Sequence, residues 1–239
     1  MTARPSRTQI RKAGRRLRDL WQSDVDFDDL PKDEQAALGN AYAVVVGFRT
    51  GYAEPLLKVR MGLQSFIKTT GYPDAQVGQR LKRFPRIMDK LVRYPSMQLI
   101  TMQDIGGCRV VLPDVGAVRK VQRHIEKRWA KDVVEIYDYT AAPQDSGYRA
   151  IHIVVRRDDH LIEVQLRTGR QHQWADAVEQ YSRQIGTEMK WGEGGERARD
   201  AFARIADHLA VLDEGGEASI DDVLEELLGW TDMIEGPED

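Results

Sequence analysis

"DYTAAPQDSGYRAIHIVV", Asp138 to Val155, is the stretch on which the fold turns. Pro143 fixes φ, Asp145 and Ser146 can close side-chain turns, and Gly147 tolerates positive φ, so PQDSG reads as a turn. Strand-like sequence flanks it on both sides. Directly after the glycine come Tyr148, Arg149 and His152, which bring an aromatic ring and an imidazole to the start of a strand.

Four segments are rich in β-branched and aromatic residues: CRVVL, VVEIYDY, YRAIHIVV and HLIEVQLR. Asp114 to Ala130 reads as a helix between the first two, and RRDDH is a hairpin-length link between the last two. Residues 1 to 95 read as helical. Pro31 opens a long segment, a second helix runs from about Glu54 to Thr69, and a third is predicted from Gln76 to Arg93. From Gly169 onward the pattern is helical again. It closes on an acidic stripe with Ile220, Val223, Leu224, Leu227 and Leu228. The expected class is α/β (α+β): a small mixed sheet flanked by helices.

Alternation across strands divides the last hairpin into faces. Ile151, Ile153 and Val155 share one face with Ile162, Val164 and Leu166 of the partner. The other face collects Tyr148, Ala150 and His152 with Glu163, Gln165 and Arg167. A one-residue slip would bury the charges, so the register is fixed. A solvated face is the ordinary explanation for such a pattern. These side chains, however, are ones that stack on bases, hold metals and bridge phosphates. "MQDIGGCRVV" adds Asp104 beside two glycines that allow close approach. Asp104 and Glu163 form a candidate carboxylate pair for Mg²⁺, which uses one or two carboxylates with phosphates and waters.

Composition narrows the class. The chain has 239 residues, 41% hydrophobic and 31% charged, with one cysteine, Cys108. That excludes an internal disulfide and a cysteine-rich zinc site. The longest apolar run, AYAVVVGF, is far short of a membrane span, so no membrane insertion and a cytoplasmic location are expected. The net charge of −3 hides segregation: seven basic and no acidic residues lie between Arg4 and Arg18, and eleven acidic residues lie from Asp213 to Asp239. Solvated helix faces are one reading of such runs; a polyanion partner is the other.

Four ordered motifs, "RLKRFPRIMDKL", "DIGGCRVV", "DYTAAPQDSGYRAIH" and "EVQLRTGRQHQWAD", resemble the synthetase domain of the RelA/SpoT alarmone synthetase family. The resemblance covers roughly residues 75 to 195. It implies a nucleotidyltransferase-like fold and a core at 71–195, between a basic helical region at 1–70 and an acidic helical extension at 196–239. It also implies transfer of the β,γ-pyrophosphate of ATP to a ribose 3′-hydroxyl of GDP or GTP, with Mg²⁺. By resemblance Arg80 and Arg109 flank the adenine, and Lys82 and Lys90 neutralise the triphosphate. Asp104 holds the metal, and Glu163 shares it or takes the hydroxyl proton. Tyr148 stacks on the acceptor base at the lip of the sheet, with His152, Gln165 and Arg167 toward its sugar or phosphates. His172 and Trp174 pack or brace.

The chain departs from the family at Gln144, where Lys is usual, and at Arg86 and Ala150, where Ser is usual. The lost lysine bears on the acceptor's diphosphate. A stand-alone synthetase is expected, growth-inhibiting, with a neutralising antitoxin as a partner that the resemblance allows. Two alternatives stay open. One is a toxin that pyrophosphorylates the 3′-terminal adenosine of tRNA, which the surplus basic arm favours. The other is an inactive nucleotide- or RNA-binding module, which would need neither Asp104 nor Glu163.

Overall fold

The structure is a computed structural model that describes residues 5–185 and 196–218. The elements are α1 (Arg7–Trp21), α2 (Lys32–Thr50), α3 (Ala53–Thr69), β1 (Gln76–Leu81), α4 (Phe84–Arg93), β2 (Gly106–Leu112) and α5 (Val115–Arg128). They continue with β3 (Val133–Asp138), β4 (Ile151–Arg157), β5 (His160–Thr168), α6 (Gly169–Ile185) and α7 (Glu196–Asp213). The strands hydrogen-bond in the order β1-β2-β5-β4-β3, one mixed sheet with helices around it, as the sequence leads one to expect. The apolar stripe from Ile220 to Leu228 lies outside the described residues.

The chain divides into two compact units. One comprises Met1–Leu63, Gly78–Cys108 and Val154–Glu163. In it, α1 opens with a reciprocal cap: Gln9 N–H donates to Ser6 Oγ at 3.3 Å and Ser6 N–H to Gln9 Oε1 at 2.7 Å. Ile10, Ala13 and Leu17 are buried, which leaves the basic positions of α1 outside. Pro31 caps α2 and Gly51 ends it, while Gly39 and Gly47 are absorbed within the helix. The β4–β5 turn places Asp158 at φ 48° and Asp159 at φ 62°, the pair of positive values that a tight two-residue hairpin needs.

One expected helix is corrected. Gln76 to Arg93 is a strand, β1, followed by α4 from Phe84. Pro85 is the cause. It lacks an N–H and its ring clashes with a preceding turn, so it is tolerated only at the start of a helix, where it sits. Arg80 therefore lies on an exposed edge strand rather than on the helix of Lys90.

The other unit comprises Gln64–Val77, Arg109–Ile153 and Val164–Asp239. Asp114 caps α5 by accepting from Ala117 N–H at 2.7 Å, and Val118, Val121 and Ile125 face inward. Thr168 and Gln171 cap α6 reciprocally, each side chain accepting from the other's backbone N–H at 3.1 Å. Its core joins Tyr148 and Ala150 to Trp174 and Val178 of α6 and to Phe202, Ile205 and Ala206 of α7.

Candidate active site

In the first unit two ammonium groups converge on one carboxylate. Lys82, just past β1, and Lys90, on α4, place their Nζ atoms 2.8 and 2.9 Å from Asp104 Oδ2. The backbone there is pinned, since Lys82 N–H donates to Ile105 C=O at 2.8 Å and Arg49 Nε–H to Lys82 C=O at 2.6 Å. The Asp104 carboxylate is largely buried, and its Oδ1 has no hydrogen-bond partner. Burial pushes the Asp104 carboxyl up and the Glu163 charge adds to that. The Lys82 and Lys90 charges outweigh both, and the pKa lies below the ordinary 3.8. Gly106 has no room for a side chain: a Cβ there would stand 3.0 Å from the buried Tyr52 ring. That lets β2 lie close beneath Tyr52 and carries Asp104 in with it.

An unpartnered buried carboxylate oxygen beside a second carboxylate suits a hard divalent cation. Among the described residues no group of three or more His, Cys, Asp or Glu side chains stands where it could hold a metal ion. Cys108 is buried and its thiol is pushed up to about 12 by burial, a core residue and no nucleophile.

In the second unit the four residues assigned to the acceptor form one connected network. Arg167 Nη2 donates to Tyr148 Oη and to Gln165 Oε1, each at 2.7 Å. Tyr148 Oη lies 2.6 Å from His152 Nε2. The imidazole tautomer sets which of these two atoms donates, since the tyrosyl oxygen can accept from Arg167 and either give its own hydrogen to Nε2 or accept one from it. The Arg167 guanidinium also lies over the Tyr148 ring, 5.2 Å from its centre.

The network is not where the sequence leads one to look for it. The resemblance puts Tyr148 at the lip of the sheet; it is fully buried, with His152 and Arg167 each 3% exposed. The cause is α7. Its apolar stripe of Phe202, Ile205 and Ala206 packs over Tyr148, and Trp174 Nε1–H donates to Phe202 C=O at 2.8 Å. Arg149 pairs with Asp207 at 2.7 Å, and buried Asp213 accepts from Thr168 Oγ1 at 2.5 Å and from Arg170 at 3.1 Å. Gly147 lets the helix in: it adopts φ +82°, with Ala206 Cβ 2.7 Å from where its own Cβ would be.

Asp176 is the residue that sequence reading passes over. It lies 3.5 Å from Arg109 Nη1 and 3.3 Å from His172 Nδ1. The His-x-x-x-Asp spacing on α6 is the available signal, since i and i+4 share a helix face. Burial, then the Arg109 charge, holds the His172 pKa below the ordinary 6.5, against the pull of Asp176. The unfolded chain therefore binds this proton first, and His172's contribution to stability falls as pH drops below 6.5. An NMR titration of the His172 ring is expected to give a midpoint under 6.5, moved lower again by Asp176→Asn.

A family model described as the region found in RelA/SpoT proteins matches residues 79–184. The GTP pyrophosphokinase YjbM of Bacillus subtilis is 30% identical over 147 residues, 56% of this chain and 69% of the relative. The chain belongs to the RelA/SpoT family. This RelA/SpoT chain is also 32% identical over 118 residues to the uncharacterized protein Rv1366 of Mycobacterium tuberculosis. That alignment takes in 49% of this chain, and the chain spans only 43% of the relative's length. Among solved structures, small alarmone synthetase 1 of Bacillus subtilis bound to its product pppGpp superposes with TM-score 0.62 at 26% identity, over 70% of this chain and 92% of that one. A GTP pyrophosphokinase family protein from Streptococcus pneumoniae gives 0.57 at 25% identity, over 76% and 95%. The fold is thus that of the small alarmone synthetases, nucleotidyltransferase-like. No described helix of the RelA/SpoT chain is long and apolar enough to cross a membrane.

Proposed function

We propose that this chain is an ATP-dependent pyrophosphokinase that transfers the β,γ-pyrophosphate of ATP to the 3′-hydroxyl of GDP or GTP. The observation that carries it is the buried Asp104 carboxylate, gripped by Lys82 and Lys90 through one oxygen and bare on the other. A binding module has no use for a desolvated carboxylate held in that state. ATP displaces this arrangement naturally, because its phosphates offer the two lysines more charge than Asp104 does. Asp104, with Glu163 beside it, would hold Mg²⁺, which would offset phosphate charge. The guanidinium groups of Arg80 and of Arg109 are planar and each suits stacking on adenine.

In the reaction the acceptor O3′ bonds to the β-phosphorus while the bond from that phosphorus to the α,β-bridging oxygen breaks. AMP leaves with the bridging oxygen, and the hydroxyl proton passes to Glu163. Little covalent work falls to the protein, so positioning and charge stabilisation account for the rate. Tyr148, with His152, Gln165 and Arg167, takes the acceptor. Stacking there requires Phe202 and Ile205 to move off the buried Tyr148 ring. Tyr148→Ala should then raise the acceptor KM and leave the ATP KM unchanged, measured on protein whose circular dichroism shows it folded, since the lost ring also costs core stability.

Two observations favour a second reading, the 3′-terminal adenosine of tRNA as acceptor. Gln144 stands where the family's lysine would meet a diphosphate, and α1 carries more positive charge than a mononucleotide requires. The test is to supply ATP labelled on the γ-phosphate, with Mg²⁺, to GDP, GTP, adenosine nucleotides and deacylated tRNA in parallel. Label on GDP or GTP is the expected outcome. Label on tRNA alone selects the second reading, and no transfer in protein that binds ATP overturns both.

A further inference from the structure

The helix that buries the Tyr148 network leaves a charge stranded beneath it. Arg167 is 3% exposed, and its buried Nε–H has no hydrogen-bond partner. Among the described residues its guanidinium has no ion pair: it donates to the neutral oxygens of Tyr148 and Gln165. A buried cation without a counter-charge is strongly disfavoured, because nothing replaces the water it has lost. The stripe laid over Tyr148, formed by Phe202, Ile205 and Ala206, is apolar and brings no anion.

Two carboxylates fasten α7 in this position. Asp207, 67% exposed, pairs with Arg149 at 2.7 Å. Asp213 closes the helix with its carboxylate buried, accepting from Thr168 Oγ1 at 2.5 Å and from Arg170 at 3.1 Å. A negative charge in the last turn opposes the helix dipole, and α7 has no basic residue there to offset it. Asp213 is therefore explained by what it fastens rather than by the helix that carries it. The closed arrangement engages two guanidinium groups through carboxylates, leaves a third without one, and covers the ring that the proposed reaction gives to a base.

We propose that α7 is a self-occluding lid that competes with the acceptor nucleotide for Tyr148, latched shut by Asp207 and Asp213. Closed, it keeps the base off the ring. An anionic acceptor opens it by supplying the counter-charge that Arg167 lacks. What α7 competes with rests on the pyrophosphokinase reading above; that α7 opens does not. A lid of this kind lowers apparent affinity by the fraction of chains that stand open, so loosening a latch strengthens acceptor binding. A permanent wall of the core would do the reverse, since loosening it would disorder the site.

Hydrogen exchange of the whole chain, read by mass spectrometry, tests the opening, and transfer kinetics test the competition. An 18-residue helix without its packing is marginal in water, so opening shows as exchange along α7. In the native chain α7 should exchange at least tenfold faster than α5 of the same unit, and GDP should speed it further. Asp207→Ala removes an exposed ion pair, which moves an equilibrium up to about fivefold. It should speed α7 exchange and lower the GDP KM by the same factor, with the ATP KM unchanged. Asp213→Asn leaves Thr168 an acceptor but removes the charge facing Arg170, and should act in the same direction, about tenfold. Circular dichroism checks folding, and Asp207→Ala decides the sign even if Asp213→Asn does not fold. The lid is overturned if α7 exchanges no faster than α5 in every chain, or if the GDP KM rises in folded Asp207→Ala. Faster exchange with an unchanged GDP KM overturns the competition. Faster exchange with no transfer by any chain leaves the lid standing and removes the pyrophosphokinase reading instead.

Discussion

Glu163→Gln should reduce pyrophosphate transfer at least about a hundredfold, the scale on which a positioned acid–base group contributes, while ATP still binds. The substitution keeps the shape of the side chain and removes its charge and basicity. Glu163 sits on β5, where it is partly accessible between the buried Ile162 and Val164, so no core contact is lost. Its charge is felt at Asp104, where it opposes the two lysines. Removing it relieves that opposition and should move the Asp104 pKa lower still. The measurement pairs single-turnover transfer with equilibrium ATP binding. Loss of the first with retention of the second places Glu163 at the reacting atoms. Unimpaired transfer would remove it from the mechanism and leave Asp104 as the only catalytic carboxylate proposed.

Gly147→Ala should be the most damaging single methyl in the second unit. Two costs combine. At φ +82° an L side chain strains the backbone, and the new Cβ would fall 2.7 Å from Ala206 Cβ and 2.9 Å from Ala203 Cα. Together they amount to roughly 2–4 kcal/mol, strain plus overpacking, or a fall in Tm of roughly 5–15 °C. Thermal unfolding measures it. Ala206→Gly in the same chain removes the nearer contact, and the pair should be more stable than the sum of the single changes allows. An unchanged Tm in Gly147→Ala would mean that α7 does not press on the glycine turn.

Much of the candidate site could be read from residue order because its chemistry is local. Asp104 beside the glycines, and the alternation of Glu163, Gln165 and Arg167 along β5, come from periodicity and turn rules applied within a dozen residues. The grouping of His152, Gln165 and Arg167 also comes from register, since a hairpin with one apolar face leaves its other face no choice, whereas Tyr148 joins them from the coil ahead of β4. Pro85 was legible too, and reading past it produced the one misplaced helix.

By itself, then, the sequence determined the mixed sheet, the family and the identity of the polar network, because strand alternation, turns and motif order are written residue by residue. The tertiary structure decided what covers that network. Phe202, Ile205 and Ala206 mark an apolar stripe on α7, but a stripe specifies only that something must be buried against it. Its partner is more than fifty residues upstream, at Gly147 and Tyr148, and only the packed chain shows that the open polar face is closed. The pairing of Lys82 and Lys90 on a single oxygen of Asp104 was decided the same way. Charge composition requires ion pairs to exist, and three-dimensional distance selects which ones form.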